Sequence, residues 1–202
     1  DVLRTYVLFM GDYEKAAPWS KDAVKGCKRF IDRTFNLCDI LVDGDEYSKE
    51  LESSFHKTIK KVSDDIETLK YNTAIAAMMT LLNDIYAKGS ITKAEFKTFI
   101  TLLNPFAPHV TEEMWQIAGF EGMLNETSWP EYSEDKCKDA TIEIVVQVNG
   151  KLKTKLQVSA ESSQEEVLSA TKDDDKVKAA IDGKNIVKEI YVKGKLVNIV
   201  AK

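Results

Sequence analysis

The sequence has few of the residues that build metal and redox sites. It holds two histidines and three cysteines among 202 residues, and no two cysteines form a CxxC pair. Cys27 and Cys38 lie on one predicted helix about 16 Å apart, which is too far for a disulfide. Neither His56 nor His109 is close to a cysteine in the sequence. The pattern predicts reduced cysteines in a cytoplasmic protein and argues against a metal site.

Membrane-spanning and targeting segments are also missing from the sequence. No apolar run approaches the roughly 20 residues that a membrane-spanning helix needs, and no signal-peptide pattern opens the chain. The chain begins at Asp1 already inside a helical pattern, so we expect it to be a fragment of a longer polypeptide. His109 and Glu113 have no third ligand nearby, so they are interpreted as part of a helix start rather than as a metal or acid–base pair. With no glycine-rich phosphate loop either, the sequence predicts no catalytic site.

Charge is unevenly distributed along the chain. The net charge is −5, but residues 141–202 contain 11 lysines against 9 acidic residues. The C-terminal part is therefore mildly basic and the rest is acidic. This imbalance suggests partners for the C-terminal part rather than for the rest of the chain, and by itself it does not distinguish nucleic acid from chance.

Residues 1–120 carry apolar side chains at helical spacing. In the stretch NPFAPHVTEEMW, Pro105 ends one helix and Pro108 begins the next. The pattern predicts an antiparallel helical bundle over residues 1–130 and a polar linker over residues 131–140. The most regular apolar stripe has spacings of 4, 4, 3, 4 and 3 residues, and it consists of Leu51, Phe55, Ile59, Val62, Ile66 and Leu69.

From residue 141 the apolar period changes to two, which is typical of strands. Asn149-Gly150 is a strong hairpin signal, and a second turn is predicted at Lys193-Gly194. Between the two hairpins lie two short helical patterns, the first opened by a capping box. The sequence thus predicts a compact ββααββ domain over residues 141–202. The fold class expected for the whole chain is mainly α with a small α+β domain.

Two groups of polar, mostly basic residues are candidates for binding an anionic polymer. The first combines Arg29 and Arg33 on one predicted helix with His56, Lys57 and Lys60 on the next. A solvated helix face with i,i+4 ion pairing explains this group equally well. The second group lies on the strands and at both hairpin turns, and it consists of Lys151, Lys153, Lys155, Lys193 and Lys195.

The second group also has two interpretations. Lysine at a sheet edge protects against aggregation, but here the acidic residues lie mainly in the helices and leave the hairpins positive, as binding to a phosphate backbone requires. Asn198 stands alone among apolar residues and is either a strand-edge residue or a hydrogen-bonding contact. Tyr191 is the only aromatic residue in this region, so backbone or shape recognition is favoured over stacking of single-stranded bases.

Several motifs resemble the anticodon-binding helical domain of class I aminoacyl-tRNA synthetases. They are FMGDYEKAAPWS, RFIDRTF, HKTIKKVSDDIETLKYNTAIAAMM and NPFAPHVTEEMW. The ending GKLVNIVAK after a small α/β module is similar to the leucyl branch of bacterial type. The resemblance extends over essentially the whole chain.

This resemblance implies a tRNA-docking region that carries no catalytic residue. Its partners would be tRNA(Leu) and the catalytic domain of the same polypeptide, and the protein would be a cytoplasmic monomer. ATP with magnesium would bind in that catalytic domain, so this fragment would need no cofactor. Two alternatives remain: a structural or protein-interaction module that packs on a catalytic domain, and the same region of another class I synthetase.

Overall fold

The structure is a computed structural model that describes residues 1–11, 18–137, 141–159, 162–192 and 194–201, without the side chains of 141–143 and 159. It divides into two compact units, Asp1–Lys138 and Asp139–Lys202. The protein is mainly helical with small sheets, as the sequence predicts. The helices of the first unit are α1 (Val2–Phe9), α2 (Lys21–Phe35), α3 (Glu52–Glu67), α4 (Tyr71–Lys88), α5 (Lys93–Leu103) and α6 (Pro108–Ile117).

Local capping signals account for several of the helix ends in the first unit. Ser20 caps α2 by accepting a hydrogen bond from the backbone N–H of Ala23. Thr92 and Glu95 form a complete capping box at the start of α5. Gly89 ends α4 in the left-handed conformation, with φ of 83°. Two short strands, β1 (Leu41–Val42) and β2 (Ile91–Thr92), pair in parallel between these helices.

The core of the helical unit is built around the predicted stripe of α3. Phe55, Ile59 and Val62 are fully buried and pack with residues of α4, α5 and α6. Leu69, the last member of the stripe, is 61% exposed. It follows the end of α3 in the left-handed conformation, with φ of 58°, and this turns its side chain away from the core.

The segment after Trp129 lies on α3, contrary to the prediction of a linker over residues 131–140. Ser133 donates its backbone N–H to His56, and Lys136 forms an ion pair with Glu52. Residues 131–137 therefore belong to the helical unit, and the division between units falls after Lys138. The polar composition of this segment reflects contacts with a helix surface rather than a free linker.

The second unit is a four-stranded sheet with two short helices. Its strands are β3 (Thr141–Val148), β4 (Lys151–Ser159), β5 (Ile186–Val192) and β6 (Leu196–Ala201), in the spatial order β4-β3-β6-β5. Its helices are α7 (Gln164–Asp173) and α8 (Asp175–Ile181), and Val167 and Val177 from these helices join the buried side chains of the sheet. The central strands β3 and β6 run parallel, and both outer pairings are antiparallel.

A β-bulge in β4 corrects the predicted alternation of that strand. Val146 pairs with Thr154, but the next residue, Gln147, pairs with Leu152, so Lys153 is the extra residue. Leu152 is consequently turned out of the core and is 61% exposed. A strict period of two would have placed Leu152 and Thr154 on one face, and the inserted residue separates them.

Candidate nucleic-acid interface

Arg29 and Arg33 line one side of a groove between α2 and α4. The groove has a volume of about 160 Å³, and Asn83 lines its α4 side. Arg33 donates a hydrogen bond from Nη1 to the side-chain oxygen of Asn83 at 2.9 Å, and its guanidinium lies 4.8 Å from the centre of the Tyr86 ring. These contacts orient Arg33 before any ligand binds, which lowers the entropy lost on binding.

Lys57 and Lys61 line a second groove, between α3 and α4. This groove has a volume of about 440 Å³, and Ala77, Thr80 and Asp84 of α4 line its other side. Lys61 pairs with the buried carboxylate of Asp65 at 2.5 Å. The predicted Lys57 is thus joined by Lys61, one turn further along α3, which is not among the residues predicted from the sequence.

The two grooves flank one exposed stripe of α4, which we call the α4 ridge. It consists of small or uncharged residues at helical spacing: Thr73, Ala76, Thr80, Asn83 and Ala87. Thr80 lines the groove on the α3 side and Asn83 lines the groove on the α2 side. The structure therefore places arginines on one side of an uncharged ridge and lysines on the other. Asp84 is an acidic residue in the lining of the groove that holds the lysines.

His56 and Lys60 do not belong to this surface, contrary to the prediction. His56 is 8% exposed, and its Nδ1 accepts a hydrogen bond from the backbone N–H of Ser133 at 3.2 Å. Lys60 pairs with Glu134 and lies 5.2 Å from the centre of the Tyr132 ring. Both residues contact a segment about 75 positions later in the chain, which helical periodicity cannot reveal.

The lysines of the small unit do not form one patch. Because β3 and β6 run parallel and β6 begins opposite Val145, the turn before β6 lies beside the middle of β3, whereas the turn after β3 lies at the end of β3. Lys151 is at that end, opposite Val148. Lys195 is beside the middle of β3, where its carbonyl accepts a hydrogen bond from the backbone N–H of Val145 at 3.1 Å.

Lys155 pairs with Val145 and so lies at about the same level of the sheet as Lys195, two strands away. Lys153 is the bulged residue of β4, and its side chain is exposed. Lys193, the remaining lysine of the predicted group, lies outside the described residues. Lys155 and Lys195 are therefore on one level of the sheet, and Lys151 is on another.

Asn198 supports a turn. Its side-chain oxygen accepts a hydrogen bond from the backbone N–H of Gly150 at 3.1 Å. It is paired with Gln147 on β3 and Ile190 on β5 and is half-buried. Of the two interpretations of Asn198, the structure favours a hydrogen-bonding role, here directed at the protein's own backbone.

The described residues contain no other feature that points to a chemical centre. Within them, no group of three His, Cys, Asp or Glu side chains is arranged to hold a metal ion. None of the helices among them has the length and apolarity to cross a membrane. The basic surfaces are accordingly the candidate functional sites.

Comparison with known proteins assigns the chain to a family. A family model described as the anticodon-binding domain of tRNA ligase matches residues 48–169, from before α3 into α7. A leucine–tRNA ligase from Alkaliphilus oremlandii (strain OhILAs) is 52% identical over 202 residues, which is all of this chain and 25% of that protein. The chain thus spans about a quarter of the length of this curated relative.

A solved structure is similar over the full chain. It is a crystal structure of the ternary complex of Agrobacterium radiobacter K84 LeuRS with tRNA and LeuAMS, with a TM-score of 0.68 and 25% identity over 100% of this chain and 28% of that one. Together with the family match over more than half of the residues, these findings identify the chain as a member of the anticodon-binding domain family of tRNA ligases.

Proposed function

We propose that this chain is the tRNA-binding C-terminal region of a leucine–tRNA ligase. The observation that carries the proposal is the 52% identity to a leucine–tRNA ligase over every residue of the chain. The helical unit would correspond to the antiparallel bundle of class I synthetases, and the small unit to the ββααββ module of the leucyl branch. The partner would be tRNA(Leu).

The α4 ridge is the proposed docking surface of the helical unit. The cations of α2 and α3 line grooves on the two sides of α4. Two such rows can neutralise phosphates on both sides of an RNA segment while the uncharged ridge lies against its sugars. Arg29 and Arg33 supply planar guanidinium groups for phosphate, and Lys57 and Lys61 supply point charges.

The lysines of the small unit would form a second contact with the tRNA, at its elbow. Lys155 and Lys195 lie at one level of the sheet, and Lys151 lies further along it, beside the end of β3. Lysines spread over the sheet in this way suit binding to the phosphate backbone and the shape of an RNA rather than recognition of single bases. This agrees with the low number of exposed aromatic residues in the unit.

The complete enzyme would activate leucine with ATP and magnesium in a catalytic domain outside this chain. The proposal assigns tRNA docking to this fragment and no chemical step. A cytoplasmic, monomeric enzyme without a membrane anchor is the setting we propose. The same region of another class I synthetase is the nearest alternative identity.

A second candidate function is packing against the catalytic domain of the same polypeptide. One observation favours it: α1 exposes Leu3 (58%) and Val7 (45%), and Trp19 after it is 59% exposed. An apolar group of this kind on a domain surface is typical of a protein contact. It is compatible with the RNA-binding role, because these residues line neither groove.

The salt dependence of tRNA binding tests the proposed surface. Fluorescence anisotropy would give the Kd of a labelled tRNA(Leu) transcript at several KCl concentrations for the protein and for Arg29→Gln with Lys57→Gln. We expect weaker binding and a slope of log Kd against log salt that is shallower by about 1.4–1.8, because each lost phosphate contact removes about 0.7–0.9 from the slope.

The matched control is Arg4→Gln with Lys70→Gln, which removes two exposed charges that line neither groove. It should leave the slope unchanged. Equal slopes for both double variants and the original protein would refute the ridge as the docking surface. Aminoacylation of tRNA by the full-length enzyme with a panel of amino acids would separately test the leucyl assignment.

A further inference from the structure

Residues Trp129–Cys137 form a strap along the outer side of α3. The strap runs antiparallel to the helix, so later strap residues meet earlier helix residues. The indole N–H of Trp129 donates to the Ser63 hydroxyl at 2.8 Å, and the Ser53 hydroxyl donates to the Cys137 carbonyl at 3.3 Å. The contacts between these two ends are Lys60 with Tyr132 and Glu134, His56 with Ser133, and Glu52 with Lys136.

Most of these contacts are individually weak because they face solvent. The side chains of Lys136 and Glu52 are 53% and 37% exposed, and those of Lys60 and Glu134 are 38% and 68% exposed. Exposed ion pairs of this kind contribute little to stability and are screened by salt. These ion pairs therefore contribute little to the docking of the strap, and a change at its buried polar contact carries more weight.

His56 makes the buried contact with the strap. Its Nδ1 accepts the backbone N–H of Ser133, so in the neutral ring the hydrogen is on Nε2. That Nε2 is buried and has no hydrogen-bond partner among the described residues. The ring also meets the edge of Tyr47, with 5.4 Å between ring centres. The docked strap thus requires one tautomer of a neutral imidazole.

Protonation of His56 opposes this contact directly. A protonated ring carries hydrogen on both nitrogens, so Nδ1 faces the Ser133 N–H as donor against donor. The charge would also be placed near Lys136 of the strap. A cavity of about 470 Å³ lies beside the ring. The charged or titratable residues that line it come from the loop before α3, from α3, from α5 and from the strap: Asp45, Glu46, Tyr47, Glu52, Lys97 and Lys136.

Burial and the nearby charges also disfavour protonation of His56 in the docked state. Burial lowers the pKa of His56, Lys136 lowers it further, and Glu52 raises it, with a net lowering. A lowered pKa means that the docked state binds the proton less well than the undocked state. Docking is therefore at full strength above the ordinary histidine pKa of about 6.5 and is lost as the pH falls through the pKa of the docked state.

We propose that the Trp129–Cys137 strap is a pH-sensitive element that docks on α3 while His56 is neutral and detaches when His56 is protonated. This inference concerns the helical unit alone and does not depend on the proposed function. If both hold, detachment frees Lys60 from Glu134 and adds a cation to the surface of α3.

NMR spectroscopy of the complete chain tests the proposal. Hydrogen-exchange protection of the Ser133 amide and of the Trp129 indole N–H, corrected for intrinsic exchange, would be followed from pH 8 to pH 5 together with the ring resonances of His56. We expect both protection factors to fall as the pH drops from the ordinary histidine pKa of about 6.5 to the midpoint of the His56 titration, by about tenfold for each unit by which docking lowers the pKa.

His56→Asn is the matched control variant. Its amide oxygen can accept the Ser133 N–H where Nδ1 does now, and it does not titrate. Protection should then stay constant over the same pH range. The proposal is overturned if His56 of the original protein titrates while Ser133 and Trp129 keep their protection, or if protection falls equally in His56→Asn. The first comparison needs no variant, so it stands even if His56→Asn folds poorly.

Discussion

Glu95 on α5 provides a quantitative test of how the helical unit is held together. Its side chain has no exposed surface. One carboxylate oxygen accepts hydrogen bonds from the backbone N–H of Ser48 at 2.8 Å and from the Ser48 hydroxyl. The other accepts from the backbone N–H of Thr92 at 2.9 Å and from Lys88 at 3.2 Å. A single buried carboxylate thus joins α4, the start of α5 and the loop before α3.

Glu95→Gln keeps the shape of this side chain and removes its charge. The amide NH₂ is best placed toward Ser48, whose hydroxyl can turn and accept from it. The Ser48 backbone N–H then loses its acceptor, and Lys88 loses its ion-pair partner. Because Lys88 is 17% exposed and can partly rehydrate, we expect a loss of about 2–3 kcal/mol in the free energy of unfolding at pH 7. Glu95→Ala, which removes every acceptor, should cost more, about 3–5 kcal/mol.

The pH dependence gives this prediction its sign. Burial raises the pKa of Glu95, but the hydrogen bonds from Ser48, Thr92 and Lys88 outweigh burial and lower the pKa overall. The charged form therefore contributes stability above the ordinary pKa of about 4.3, and this contribution is lost as the pH falls through the folded-state pKa. Urea unfolding at pH 7, 5.5 and 4 should show the difference between the original protein and Glu95→Gln shrinking at the lowest pH. A difference below about 0.5 kcal/mol at pH 7, or one that is the same at all three pH values, would refute this account of Glu95.

Two further predictions concern the small unit. Asn149 has φ of 52° and exchanges two hydrogen bonds of 2.9 Å with Ala201, so Asn149→Ala should destabilise the unit by about 2–3 kcal/mol. Asn149→Gly also loses both hydrogen bonds but adopts the left-handed conformation without strain, so it should recover about 1 kcal/mol of this loss. Hydrogen exchange of the sheet amides would measure the stability of both variants. Equal losses in the alanine and glycine variants would contradict the strain at this position. Lys151 and Lys195 lie about 16 Å apart across the sheet, so their alanine variants should weaken tRNA binding additively in log Kd. Strong non-additivity in anisotropy titrations would mean that both act on one phosphate.

The local patterns of the sequence were sufficient for much of the helical unit. The spacing of the α3 stripe predicts the burial of Phe55, Ile59 and Val62, and all three are buried, because one face of an amphipathic helix must meet the core. Arg29 and Lys57 were also selected from the sequence, and both line grooves beside α4. Their association with a common ridge could not be predicted, because it depends on α4 packing between α2 and α3.

The errors have a shared physical cause, which is contact between distant parts of the chain. His56 lies outside the apolar stripe of α3 and was therefore expected to be exposed, yet Ser133 and its neighbours cover it. The same neighbours were expected to form a linker, because their polar composition suits water as well as it suits the flank of a helix. Composition does not distinguish a solvated segment from one held by hydrogen bonds and ion pairs.

In this protein the sequence by itself determined the helical and strand periods, the helix starts and the family resemblance, since these depend on residues close together in the chain. Tertiary structure alone decided where the charges lie. The parallel pairing of β3 with β6 separates Lys151 from Lys195, and the bulge at Lys153 turns Leu152 out of the core. A register and a strand direction are set by pairing between segments that are distant in the sequence, so no local pattern contains them.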